Sequence, residues 1–215
     1  MNISELKGKL GRYSERGHEI LEAYRDISSV NVPPRRFRGE EMRRLAGVSA
    51  TNIIYTAEAN GRLPKPDLTE TNRKKGATLA QMNTMRELFD TSPSRKSDEP
   101  PVVLSFTNFK GGCWKTTTSL YAGSYWANQG YRVLLVDLDP QASLTQQVGI
   151  LPDIETNHST SLGPYIMNES STLPASSIVM DTYCENMKIV TSTLELAGVE
   201  FALSNEIFMA REQGV

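Results

Sequence analysis

Lys110 and Lys115 stand five positions apart around Gly111-Gly112-Cys113-Trp114, and Thr116-Thr117-Thr118 follow directly. Further along, Asp137 and Asp139 flank a single leucine. These residue types suit phosphate chemistry. Consecutive backbone N–H groups in a glycine-bearing loop, together with a helix N-terminus and a lysine, concentrate positive potential on an anion. A hydroxyl directly after the lysine can hold Mg²⁺.

The flanking stretches are the elements that must position these groups. Val102-Val103-Leu104-Ser105-Phe106 has the length and β-branched content of a buried strand. The loop Asn108–Lys115 follows, then an amphipathic helix with Leu120, Tyr121, Tyr125 and Trp126 at helical spacing. Gly130 is placed to end that helix with a positive φ. Val133-Leu134-Leu135-Val136 is a second strand, and the aspartates sit at its C-terminal end. Strand, loop, helix, strand is expected to form a right-handed βαβ unit, which brings loop and aspartates to one edge of a sheet.

Lys110-Gly111-Gly112-Cys113-Trp114-Lys115-Thr116-Thr117 resembles the deviant Walker A motif of the ParA/SopA/MinD family, KGGxGKT[ST]. Val136-Asp137-Leu138-Asp139-Pro140-Gln141-Ala142-Ser143 resembles that family's Walker A′ stretch, in order and at the expected distance. The resemblance implies ATP or ADP with Mg²⁺ as ligands. Nucleotide contacts would come from Lys110, Gly111, Gly112, Lys115, Thr116 and Thr117. Thr116 would ligate the metal and Asp137 would support its site. Lys110 would reach across a homodimer to the partner's phosphates, and Asp139 would orient the attacking water. The resemblance also implies DNA segregation, a ParB-type partner and repression of the protein's own operon. Two departures stand out. Trp114 occupies the place of a family glycine, where the backbone wraps closely around phosphate. The family's Walker B strand is expected after Val215, so these residues carry the front part of such a domain.

Composition bounds the rest. A hydrophobic fraction of 39% with 22% charged residues fits a globular chain rather than a disordered one. No apolar run approaches the ~20 residues of a membrane span. The first residues lack a signal-peptide core, and only two cysteines occur, so no membrane role and a cytoplasmic setting are expected. The net charge of −2 hides a split. Residues 1–98 hold 18 Lys and Arg against 13 Asp and Glu, whereas residues 99–215 hold 5 against 12. A basic front and an acidic back suggest two units with different partners, DNA being the natural one for the front.

In that front, Ile3, Leu6, Leu10, Tyr13, Gly17, Ile20, Tyr24 and Ile27 mark a helix over 2–28 with a heptad-like seam suited to dimerisation. Pro33-Pro34 breaks the chain. A helix over 40–46 with Met42, Leu45 and Ala46 on one face leads to a Gly47-Val48-Ser49 turn, with Ser49 as N-cap. A second helix over about 50–59 turns Ile53, Ile54 and Ala57 inward. The pair resembles a helix-turn-helix, and Gly61 to Pro66 looks like the start of a wing. It is similar to the DNA-binding front of the larger ParA/SopA proteins. In that docking Ser49, Ala50, Thr51, Asn52 and Tyr55 reach base edges. Arg36 and Arg62 neutralise phosphates, with Arg35, Arg38, Arg43, Arg44 and Lys65 as further candidates.

Thr78 to Gln81 fits a capping box opening a helix to about Asp90, with Leu79, Met82, Met85 and Phe89 on one side. Residues 91–101 read as a linker. Beyond Walker A′, a short helix near 162–167, a strand over 188–191 and a helix from Thr193 to about Ala210 are expected. The last would pack through Leu194, Ala197, Phe201 and Ile207–Phe208. The predicted class is α + α/β: a helical winged helix-turn-helix region over 31–90, then a partial P-loop parallel-sheet α/β domain over 102–215.

Overall fold

The computed structural model describes residues 34–95, 98–152, 154–167 and 174–212. The helix expected over 2–28 and its seam lie outside these residues.

Three short helices build the first part. α1 spans Gly39–Leu45, with Glu40 and Glu41 in its first turn and Arg43 and Arg44 in its last. That arrangement opposes charge to the helix dipole at both ends. Gly47 then takes φ +69°. A side chain there would be strained, and its Cβ would stand 2.8 Å from Thr91. α2 spans Thr51–Ala59 and buries Ile54 and Ala57, whereas Ile53, expected inward, is exposed. Ser49 does not cap α2. The helix begins one residue later than expected, so Ala50 is the N-cap and makes no side-chain bond. The carbonyls of Val48 and Ser49 instead accept from Arg43 Nη1, at 2.8 and 3.3 Å. α3 spans Leu79–Leu88 and carries the expected capping box between Thr78 and Gln81. Leu79, Met82 and Met85 complete one core with Phe37, Met42, Leu45, Ile54 and Leu63.

Between α2 and α3 the chain folds back on itself. Leu68 bridges Lys74 and Phe37 bridges Ala77, both antiparallel. Asn72, at φ +59°, makes the turn. The basic run Asn72 to Lys75 thus forms a hairpin tip. Lys74 reaches back to pair with Glu58 and lies 3.9 Å above the Tyr55 ring.

The second part is a small three-stranded sheet flanked by helices. α4 is the 14-residue helix Lys115–Asn128. It ends in a turn at Gly130, which takes φ +98° as expected. β1, Val133–Val136, returns along it. β3, Met187–Val190, pairs with β1 in parallel, Val133 opposite Met187 and Val136 opposite Val190. β2, Val179–Asp181, is antiparallel to β3, giving the order β1-β3-β2. A second core forms between α4 and the sheet from Ala127, Leu135, Met187 and Ile189, joined by Leu144, Val148 and Ile150. α5, Ser143–Gln147, and α6, Gly163–Ile166, are short. α7 spans Leu196–Glu212.

The sheet differs from expectation in membership. Val102–Phe106 is not a strand: it is exposed, Val102 to 86%. β-branched residues favour a pleated, half-buried surface, and no described strand lies beside this run to supply a ladder. The βαβ unit expected around the loop therefore lacks its first strand among the described residues. β2 takes the third place in the sheet, from a stretch that reads as loop. α7 also sits in a different phase. It buries Leu196 and Val199, while Leu194, Ala197, Phe201 and Phe208 are exposed.

Candidate nucleotide-binding site

The loop from Asn108 to Lys115 is open to solvent, and its lysines sit in different settings. Lys110 is exposed, its backbone N–H donating to Asn108 Oδ1 at 2.9 Å. Lys115 opens α4 and is half-buried, its ammonium 4.0 Å from Cys113 Sγ. Gly112 takes φ +69° and nothing lies within 4 Å of where a Cβ would project from it or from Gly111. Trp114 is the N-cap of α4 at φ 65°, ψ 20°. The loop therefore keeps the left-handed backbone that glycine adopts freely, and the indole projects outward, 72% exposed. Thr116 and Thr117 are half-buried.

Opposite charge comes to the same end of the sheet. α4 runs back along β1 after a four-residue turn, so its first residue lies toward the C-terminal end of β1, where Asp137 and Asp139 follow. Asp137 is 4% exposed and both its oxygens are engaged. Oδ2 accepts from the Thr145 N–H at 2.9 Å and the Thr145 hydroxyl at 2.7 Å. Oδ1 accepts from the Asp139 N–H at 3.2 Å. Thr145 is the third residue of α5, so Asp137 holds one of that helix's otherwise unpaired N–H groups. Thr145 Oγ1 in turn accepts from the Ser192 N–H at 3.1 Å, which ties the end of β3 to the same knot. Asp139 is exposed, with Oδ1 accepting from the Gln141 N–H at 3.0 Å. Among the described residues no ion pair joins Lys110 or Lys115 to either aspartate. The arrangement leaves the lysines and Asp139 available to a ligand and commits Asp137 to the frame.

The residues proposed for nucleic acid divide in the same way. Arg36 is spent on the fold, pairing with Asp67 at 2.7 Å and donating to the Gly76 carbonyl at 3.0 Å. Arg35 pairs with Glu41, Arg38 donates to the Lys75 carbonyl, and Arg43 pairs with Glu40. The side-chain hydrogen bonds between Arg43 and Glu40 hold the Glu40 carboxyl below its usual range and raise the Arg43 guanidinium. Arg44, Arg62 and Lys65 are exposed without an ion pair among the described residues. Ser49, Ala50, Asn52 and Tyr55 are exposed at the start of α2, and Thr51 is half-buried. The Tyr55 ring carries Lys74, so its face is already occupied.

Two residues of consequence escaped the sequence reading. Thr145 gave no signal. Arg86 did: it lies four residues after Met82 and seven after Leu79, on the face assigned to the core. It is 1% exposed, and burial pushes its guanidinium pKa down.

A family model described as an AAA domain matches residues 102–212, just over half of the chain. The SopA protein of Escherichia coli (strain K12) is 32% identical over 209 residues, which cover 93% of this chain and 53% of SopA. The chain belongs to the ParA/SopA family. A putative replication protein A of Sinorhizobium fredii is 32% identical over 212 residues, 89% of this chain and 51% of that one. The chain thus spans about half the length of these curated ParA/SopA-family relatives. A solved structure titled "Partition Protein" covers 90% of this chain and 53% of its own at a TM-score of 0.52 and 16% identity, a likeness of fold. Among the described residues no helix is long and apolar enough to cross a membrane.

Proposed function

We propose that this chain is the DNA-binding and P-loop portion of a partition ATPase, acting as a homodimer in the cytoplasm to position plasmid or chromosome DNA. One observation carries the nucleotide part. The helix opened by Lys115 and the strand that ends at Asp137 and Asp139 put a lysine, hydroxyls and carboxylates at one edge of the sheet. Gly112 and Trp114 both take the left-handed backbone, a conformation that loops cradling a phosphate chain use. Thr116 follows Lys115 in the first turn of α4, where its hydroxyl would ligate Mg²⁺. The metal, when bound, neutralises charge that develops on the transferring phosphoryl group.

The chain's own residues then divide the work. Lys115 holds the β- and γ-phosphates, and Thr117 meets the α-phosphate. Gly111 and Gly112 let the backbone approach. Lys110 reaches into the partner protomer's site, where a cation stabilises the transition state as an arginine finger does. Asp139 orients the attacking water. Asp137 supports the metal site from behind, because its bonds to Asp139 and Thr145 fix the backbone that presents Asp139. DNA is taken by a helix-turn-helix formed by α1 and α2, with the hairpin 67–75 as its wing. Ser49 to Asn52 face base edges, and Arg44, Arg62 and Lys65 face phosphates. A ParB-type protein stimulates hydrolysis, and the DNA-binding part represses the protein's own operon.

Trp114 favours a second reading, a dimeric helix-turn-helix protein whose nucleotide domain no longer hydrolyses ATP. Its indole stands where the family keeps bare backbone against phosphate. Calorimetric titration with Mg-ATP separates the two, using the parent, Trp114→Gly and a Lys115→Ala control. Binding that Lys115→Ala abolishes supports a nucleotide site. Silence from both parent and Trp114→Gly removes that half of the proposal. DNA binding by the parent then decides whether the second reading stands.

A further inference from the structure

The two cores of this protein are joined by a polar joint. Arg86, in the middle of α3, is buried without a carboxylate beside it, and its guanidinium is shared among carbonyls. Nε donates to the carbonyl of Leu45, the last residue of α1, at 2.9 Å. Nη2 donates to the carbonyl of Asn128, the last residue of α4, at 2.6 Å. Nη1 donates to Asn83 Oδ1 at 2.9 Å. Asn83 and Asn186 exchange side-chain bonds of 2.8 and 3.2 Å, and Asn186 Nδ2 donates to the Ala127 carbonyl at 3.0 Å. The carbonyl end of a helix carries partial negative charge. One cation therefore caps two helices at once, from a third. Of those two, α1 leads into the turn before Ala50–Tyr55, and α4 starts at Lys115.

We propose that Arg86 is a positioning residue that couples the P-loop helix to the DNA-facing turn, so that displacement of α4 by a ligand at its N-terminus is transmitted to residues 45–50. The physical ground is stiffness. A helix moves along its axis as a rod, so a push at Lys115 arrives at Asn128. The carbonyl there is held by Arg86, whose other arm holds Leu45. Hydrogen bonds to a charged group are the stronger kind, and their loss leaves buried carbonyls unpaired. Among the described residues the joint supplies the side-chain hydrogen bonds between the two cores, and Cys184 packs against both. A joint made of directional bonds transmits small shifts that a greasy interface would absorb.

The nucleotide half of this inference rests on the proposed function, and the test separates the two. Hydrogen exchange is measured on the whole chain for the parent, Arg86→Met and Asn83→Leu. Arg86→Met is expected to speed exchange at 45–50 and at 127–131 together, by at least about tenfold. Asn83→Leu keeps both Arg86 bonds to helix ends, and is expected to give a smaller rise in the same two segments. If Arg86→Met does not fold, Asn83→Leu still reads both segments. A rise confined to α3, or in one segment alone, overturns the coupling. Affinity for a duplex DNA probe is then measured with and without Mg-ATP. The joint predicts that any nucleotide effect seen in the parent disappears in Arg86→Met. An equal effect in both proteins overturns the inference. No effect in the parent counts against the proposed nucleotide response, and the joint is then judged on exchange alone.

Discussion

Replacing Trp114 separates two costs that this position combines. The residue sits at φ 65°, and its indole is largely in solvent. A left-handed backbone costs a residue with a Cβ about 1–2 kcal/mol. An exposed indole returns little packing to offset that. Glycine removes the cost but frees the unfolded chain by about 0.5–1 kcal/mol. Trp114→Gly is therefore expected to gain about 0.5–1 kcal/mol, raising the melting temperature by about 1–4 °C for a chain of this length. Trp114→Ala removes the indole but keeps the Cβ, so it should melt close to the parent. Calorimetry with Mg-ATP on the same three proteins reads the other cost. Trp114→Gly should bind Mg-ATP more tightly than the parent, with Trp114→Ala between them. If all three melt together, the backbone argument is refuted. If the parent binds Mg-ATP as tightly as Trp114→Gly, the steric argument goes with it.

Three other outcomes follow from the geometry. Asp137→Asn turns an acceptor of three hydrogen bonds into a group with a misplaced donor, in a buried site. It should cost about 2–3 kcal/mol, read from a urea midpoint, and a loss below about 0.5 kcal/mol would show that the knot with Thr145 is weak. Burial pushes the Cys184 thiol up, with Glu185 adding to it and a backbone hydrogen bond from Asn186 opposing. Its alkylation at pH 8 should be slower in the native protein than in urea, and the native rate should catch up only at higher pH. Because the folded state favours the protonated thiol, its stabilising contribution is complete below the free-cysteine pKa and is lost as pH rises through the folded one. Equal labelling in both states would contradict this. Arg62→Ala should weaken DNA binding alike across sequences and flatten the dependence of log affinity on log salt by about one unit. Loss at one sequence only would move Arg62 from phosphate to base contact.

Local chemistry was the legible part of this fold. The Thr78–Gln81 capping box, the Gly130 stop and the Met42–Leu45 face each depend on neighbours within a turn, and each appears where the sequence places it. The P-loop signature was legible because it is a spacing of residue types. What failed depends on distant partners. Val102–Phe106 has strand composition, but composition cannot supply the ladder a strand needs. Ile53 and Ile54 are alike in type, and only the direction of the neighbouring helix decides which is buried. Ser49 is a good cap by chemistry, but Arg43 claims its carbonyl and the helix starts after Ala50. Asp137 reads as support for a metal site, and nothing local announces that its carboxylate binds Thr145 eight residues on, whose hydroxyl takes the Ser192 N–H far beyond it. Arg86 lies on the helical period of the core face set by Leu79 and Met82, and a charged residue type gives no sign on its own that it is buried there.

Gly130 carries two requirements that are usually met by different residues. Its φ of +98° lets the chain leave α4. The Cβ it lacks would stand 3.1 Å from Cδ, Nε and Nη1 of Arg86. The bare α-carbon is therefore the room in which the guanidinium lies. For the history of this sequence the two positions form one heritable unit, although they are 44 residues apart. A larger residue at 130 pushes on the guanidinium of Arg86 and strains the backbone at its own φ of +98°. A change at 130 alone leaves a crowded cation, and a shorter residue at 86 alone leaves two uncapped helices.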